Sequence, residues 1–182
     1  MQKMVGLKRF KYVNEKEIYS LENKYHIPKE DGYELDTSYF TFLFSLDSSK
    51  NKAQIKNHYQ PLQALYYDKN GNLKSFQINC YAGGFPNLKW DRDSIFSTFV
   101  PKQQAPLDSL LPLELLLKQI KPLSKTRNFS KDNYDFVVIV FWNRFIGRQS
   151  KRLIHFVQEN AKIASNKRIK IIYVNNDNLY NN

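Results

Sequence analysis

The loop Asn143-Arg144-Phe145-Ile146-Gly147-Arg148-Gln149-Ser150 gathers the side chains best suited to binding chemistry. Arg144 and Arg148 flank Gly147 just before an amphipathic helix. A helix start offers free N–H groups and a partial positive charge, and guanidinium forks match phosphate and carboxylate geometry. The expected binding edge is therefore Asn143, Arg144, Gly147, Arg148, Gln149 and Ser150, and its ligand a small anion or a protein partner. The plainer alternative is a solvated loop with two incidental arginines.

Cys80 is the only cysteine, so no disulfide forms within the chain and no zinc site closes on thiolates. As a lone nucleophile it would need an exposed, electropositive setting. Phe76, Ile78 and Cys80 alternate with Ser75, Gln77 and Asn79, which predicts a strand with Cys80 on the apolar face, a core thiol. His26, His58 and His155 lack metal spacing, and no metal is expected; His155 with Glu159 reads as a surface pair. Gly-x-Ser-x-Gly is missing, as are Gly-x-Gly-x-x-Gly and a Gly-Lys-Ser/Thr after Gly83-Gly84, so no cofactor is expected. Tyr81, Phe85 and Trp90 near Lys89 and Arg92 could stack single-stranded bases. The preferred reading makes those rings core and the charges rim.

The elements that must position these groups are partly legible. Asn14 with Glu17 resembles a capping box, followed by Ile18, Leu21 and Tyr25 on one helical face. Pro28 ends that helix, and Lys29 to Gly32 reads as a turn. Thr37 to Leu46 fits a buried helix better than a strand, and Ser48 to Asn57 reads as a polar loop. Asp68-Lys69-Asn70-Gly71 between β-formers predicts a hairpin, Asn and Gly tolerating positive φ. Pro101 to Pro106 is a loop, Leu113 to Ile120 a helix stopped by Pro122, and Ser124 to Asp135 a surface connection. Phe136 to Trp142 is an unbroken apolar run, expected of a strand buried on both faces. Ser150 to Ala164 is an amphipathic helix, and Ile169 to Val174 a second buried strand. The expectation is a single α/β domain over 1–182 with a mixed central sheet and helices on both faces. Within it, 1–60 is helical, 61–82 is a β-hairpin, and 107–182 is a helix followed by a β-α-β unit.

Val137 to Asn178 resembles the opening β-α-β unit of thioredoxin-like proteins. The first strand ends in Phe141-Trp142, and the second runs into Asn175-Asn176-Asp177. The family's Cys-x-x-Cys would fall within Ile146-Gly147-Arg148-Gln149-Ser150, where only the glycine is present. Thiol–disulfide exchange needs an attacking thiolate and a resolving thiol, and this loop supplies neither. The stretch Gln60-Pro61 to Gly71 resembles the hairpin that follows the unit in that family, here placed earlier. The resemblance thus implies a degenerate, permuted thioredoxin-like domain without dithiol activity.

The bulk numbers bound the function. The chain has 182 residues, 42% hydrophobic and 15% aromatic, which suits one domain with a large core. Its net charge of +11 is scattered rather than blocked. A basic nucleic-acid-binding module is the second functional class, and a thiol enzyme using Cys80 the third. No apolar run reaches the ~18 residues of a membrane span. The start at Met1 lacks a signal-like stretch, which implies a cytoplasmic chain if native and an exported or envelope-associated one if a leader was removed. Oligomeric state is not legible.

Overall fold

The computed structural model describes residues 7–124 and 129–180. Sequence readings that touch 1–6, 125–128 and 181–182 lie outside these residues. Helix α1, Glu15–Lys24, starts where expected: Asn14 accepts a hydrogen bond from the Glu17 amide, satisfying one of the helix's orphan donors. His26, at φ 57°, reverses the chain after it. The segment read as a turn then continues into strand β1, Gly32–Leu35.

Helix α2, Ser38–Ser45, buries Tyr39 and Leu43. The polar stretch read as a loop is helix α3, Ser48–His58, with Asp47 accepting from the Ser49 amide. Only Ile55, Asn57 and His58 of α3 are buried, so its sequence lacks the apolar stripe that signals a helix. A cap and one docked turn are what hold it.

Strands β2, Gln63–Asp68, and β3, Leu73–Ile78, form the expected hairpin. Asp68 accepts from the Asn70 and Asn72 amides, and Gly71 takes φ 79°. The alternation stops at Ile78, because Asn79–Ala82 turns into a short helix, α4. Helix α5, Leu113–Leu117, gives way to strand β4, Ile120–Pro122, where the sequence suggested one longer helix. Strand β5, Phe136–Trp142, helix α6, Gly147–Ile163, and strand β6, Ile169–Asn175, follow as the last strands and α-helix among the described residues. Helix α6 begins three residues earlier than its polarity pattern suggested.

The six strands make one mixed sheet in the order β3-β2-β5-β6-β1-β4. Strands β5, β6 and β1 run parallel, while the hairpin and β4 pair antiparallel at the two sides. Side chains alternate across a strand, so Val137, Ile139 and Phe141 enter one core and Val138, Val140 and Trp142 the other. The first core is closed by Tyr39 and Leu43 of α2, Ile55 of α3 and Leu116 of α5. The second is closed by Ile18 of α1, Leu153, Ile154 and Val157 of α6, and Trp90. The molecule is a single α/β domain with helices on both faces of a mixed sheet, as its sequence implied. No helix among the described residues is long and apolar enough to cross a membrane.

Candidate functional site

Parallel strands β5 and β6 end together, and the chain leaves both through asparagines. The Asn143 amide donates to Ser150 Oγ at 3.1 Å, and that hydroxyl donates back to the Asn143 carbonyl at 2.8 Å. Asn143 Nδ2 reaches both the Pro61 carbonyl and Asn176 Oδ1, each at 3.1 Å. Asn143 Oδ1 accepts from the Ile146 amide at 2.9 Å. Asn176 Nδ2 also donates to the Pro61 carbonyl, at 2.9 Å. These bonds tie the two strand ends, the start of β2 and the first turn of α6 into one brace. Burial strengthens each bond and makes each loss costly.

Asp177 supports the loop from below. It accepts from the Arg144 amide at 2.7 Å and from Asn175 Nδ2 at 3.0 Å. Burial pushes its carboxyl above the ordinary range, while these hydrogen bonds and the Arg144 charge pull it back. Gly147 is dictated by a close approach: a Cβ there would stand 2.7 Å from the Tyr25 hydroxyl.

The six expected binding residues therefore divide by role. Asn143 and Ser150 are buried in the brace. Gln149 is buried too, and its Nε2 donates to the Pro86 carbonyl, fastening the 83–88 loop to the start of α6. The Arg144 guanidinium donates to the Arg9 carbonyl. Arg148 is exposed and forms no ion pair among the described residues. Several donors of the helix start are engaged within the loop: the Gly147 amide with Arg144 O at 3.1 Å, and the Gln149 and Ser150 amides with Ile146 O at 2.9 and 3.0 Å.

No protein family, curated protein or solved structure matches this chain.

The sequence treated 80–90 and 143–150 as unrelated, and the structure brings them together. Asn79, Cys80, Gly83, Gly84, Phe85, Leu88 and Ile146 line a cleft of about 280 Å³. Phe85 at its rim is 64% exposed and Tyr81 is 41% exposed, whereas Trp90 is fully buried. The expectation that these rings are core holds for Trp90 alone. Cys80 corrects a second expectation. It lies past the end of β3, in α4, and is exposed. Partial burial against the cleft still pushes its thiol above the ordinary range, outweighing its backbone hydrogen bond and the nearby Lys56 charge. No sequence signal distinguishes a strand continuing through Cys80 from one stopping two residues earlier, since Asn79 suits either.

Across Ile146 lies a second cleft, about 450 Å³, walled by Leu7, Lys8, Arg9, Phe10 and Phe145. Here the N-terminal segment crosses the loop: the Lys8 amide donates to the Phe145 carbonyl at 2.8 Å, and the Phe10 and Phe145 rings sit 4.6 Å apart. Phe145 continues into a run of rings through Tyr180 and Tyr59 to Phe40 and Phe44. Away from this edge, His58 is fully buried, 3.0 Å from Asp108 and stacked on Phe76. That pair was not legible in the sequence, because its partners are 50 residues apart. No cluster of three or more His, Cys, Asp or Glu suited to a metal occurs among the described residues.

Proposed function

We propose that this chain is a degenerate, permuted thioredoxin-like domain that binds a protein partner, without catalysis, at the edge formed by Ile146 and Phe85. The carrying observation is the cleft that Cys80, Phe85, Leu88 and Ile146 line with apolar surface at the carboxyl ends of the parallel strands. Clefts at strand carboxyl ends, apolar with a few polar groups at the rim, suit a side chain anchored by burial. Exposed Phe85 and Tyr81 supply aromatic contact area, and Lys89 and Arg148 supply cations beside it. This favours an apolar anchor with flanking carboxylates over a bare small anion.

Two arrangements support the permuted reading. The hairpin pairs antiparallel with β5 on the side away from β6, so it shares one sheet with the β-α-β unit. The Pro61 carbonyl that opens this hairpin is held by Asn143 and Asn176, one from each strand end of the β-α-β unit. The raised Cys80 thiol speaks against a nucleophile, which works as thiolate.

The test is selection of a displayed random-peptide library on the folded chain, repeated on Phe85→Asp and Ile146→Glu. Enriched peptides should carry an apolar residue beside Asp or Glu. Each substitution should weaken them about tenfold or more, as expected at a central anchor pocket. Failure to enrich any sequence, or enrichment indifferent to both substitutions at unchanged Tm, would remove the edge as a binding surface.

A further inference from the structure

The N-terminal strap that crosses the site loop is an odd match for it. Val13 is fully buried and doubly tied: its amide donates to Asn178 Oδ1 at 2.8 Å, and its carbonyl accepts from Asn178 Nδ2 at 2.9 Å. Before this anchor the attachment among the described residues is thin. Lys8 donates one backbone hydrogen bond to Phe145, Arg144 donates to the Arg9 carbonyl, and Phe10 lies against the Phe145 ring. Phe10 and Tyr12 remain 57% and 67% exposed. The strap also carries Lys8, Arg9 and Lys11 onto a loop that presents Arg144 and Arg148. Among the described residues Lys11 pairs with Glu17 and the Arg144 charge is partly met by Asp177 and Glu17, while Lys8, Arg9 and Arg148 form no ion pair. Segments with few buried contacts open at low cost, and like charges in one interface favour the open state.

We infer that residues 7–12 are an intrachain competitor for the loop's Phe145–Ile146 surface, and that the preferred partner is an acidic extended segment carrying an aromatic side chain. The strap itself shows what that surface accepts: extended backbone donating to the Phe145 carbonyl, with a ring on Phe145. A partner segment with the same backbone and ring but carboxylates in place of Lys8 and Arg9 replaces repulsion with attraction to Arg144 and Arg148. The strap thereby sets a threshold that weak or cationic segments do not pass. The inference rests on the edge being a binding surface.

Two full-length variants move the strap in opposite directions. Phe10→Ala removes the ring contact and loosens it. Lys8→Glu with Arg9→Glu matches its charge to the loop and tightens it. The probe is a dye-labelled hexapeptide, Glu-Asp-Phe-Glu-Asp-Glu, followed by anisotropy. F10A should raise its affinity roughly three- to tenfold, the size of one ring–ring contact, and the double glutamate variant should lower it by a similar factor. Hydrogen exchange over residues 7–12, measured on the protein alone, should quicken in F10A and slow in the double variant. Strap exchange that ignores both variants would overturn the inference outright. Peptide binding by the wild-type chain that neither variant alters would overturn the competitor role and leave the binding edge standing. Strap exchange that responds as expected while no variant binds the peptide at millimolar concentration would remove the Phe145–Ile146 surface as a binding surface, and the competitor role with it.

Discussion

Glu22 shows how a single buried side chain can set the pH response of a fold. It sits on α1 with 1% exposure, and neither carboxylate oxygen has a hydrogen-bond partner among the described residues. It occupies the space over Gly32, where a Cβ would stand 2.0 Å from Oε1. Burial pushes its carboxyl up to about 7, with the Lys29 charge only partly offsetting this. The folded state then prefers the protonated form. Below the unfolded value of 4.5 there is no penalty; between 4.5 and about 7 stability falls as pH rises; above that the full cost is present. A shift of that size corresponds to roughly 3–4 kcal/mol. Glu22→Gln should therefore gain about that much at pH 8 and almost nothing at pH 4, measured by urea unfolding at both. Equal effects at the two pH values would mean the carboxylate finds solvent. Cys80 gives a second test at this scale. A thiol reagent should titrate one equivalent from the native chain, more slowly than from a free cysteine peptide because the thiol is raised. Cys80→Ser should shift stability by no more than about 0.5 kcal/mol, as at other surface positions. Labelling that waits for unfolding would restore the core reading that the Phe76–Ile78 alternation suggested. Neither residue was legible from its neighbours: Glu22 looks like an ordinary polar position on a capped helix, and Cys80 like the next inward residue of a strand.

The elements were legible in proportion to how much apolar surface each buries by itself. Strand β5 declares itself because both of its faces enter a core, and β6 and α6 follow from the same logic. Helix α3 does not, since its docking rests on Ile55, Asn57 and His58 at one end. Strands β1 and β4, of four and three residues, are too short for a period to show, and exist because the sheet edge beside β6 offers unpaired backbone. The site loop was found from its arginines, yet its geometry is set by Asn143, Ser150 and Asn176, whose bonds span up to 115 residues of sequence. Asn143→Ala would remove the partner of Asn176 Oδ1 and of the Ile146 amide together, while the Pro61 carbonyl keeps only Asn176 Nδ2. It should cost about 2–4 kcal/mol, from several buried bonds at roughly 1 kcal/mol each plus unsatisfied groups. Arg148→Ala should leave stability within about 0.5 kcal/mol. Denaturant unfolding of both variants checks this: if Asn143→Ala proved as mild as Arg148→Ala, the brace would not be holding the loop.

At the scale of the whole molecule the question is what the charge of +11 does. A nucleic-acid footprint gathers cations beside rings that bases can stack on. The candidate platform is only half assembled here, because Trp90 is fully buried and Arg92 lies 3.5 Å from Asp93. Tyr81, Phe85 and Lys89 remain at the surface. The other ion pairs are spread along the chain, from Lys11–Glu17 to Lys170–Asp31. A labelled random oligonucleotide should therefore bind no more tightly than the ~10⁻⁴–10⁻⁶ M of non-specific complexes at physiological salt. The binding seen at about 50 mM salt should be unaffected by Tyr81→Ala with Phe85→Ala, since phosphates would be attracted by the summed field and not by a stacking site. The opposite result, binding tighter than micromolar that collapses roughly a thousandfold by about 200 mM and is lost with the two rings, would mean that bases stack at the Phe85 cleft where we place an apolar anchor with flanking carboxylates. Both ligands offer carboxylate or phosphate charge plus an apolar group, so the two ring substitutions and the salt slope together, and neither alone, separate them.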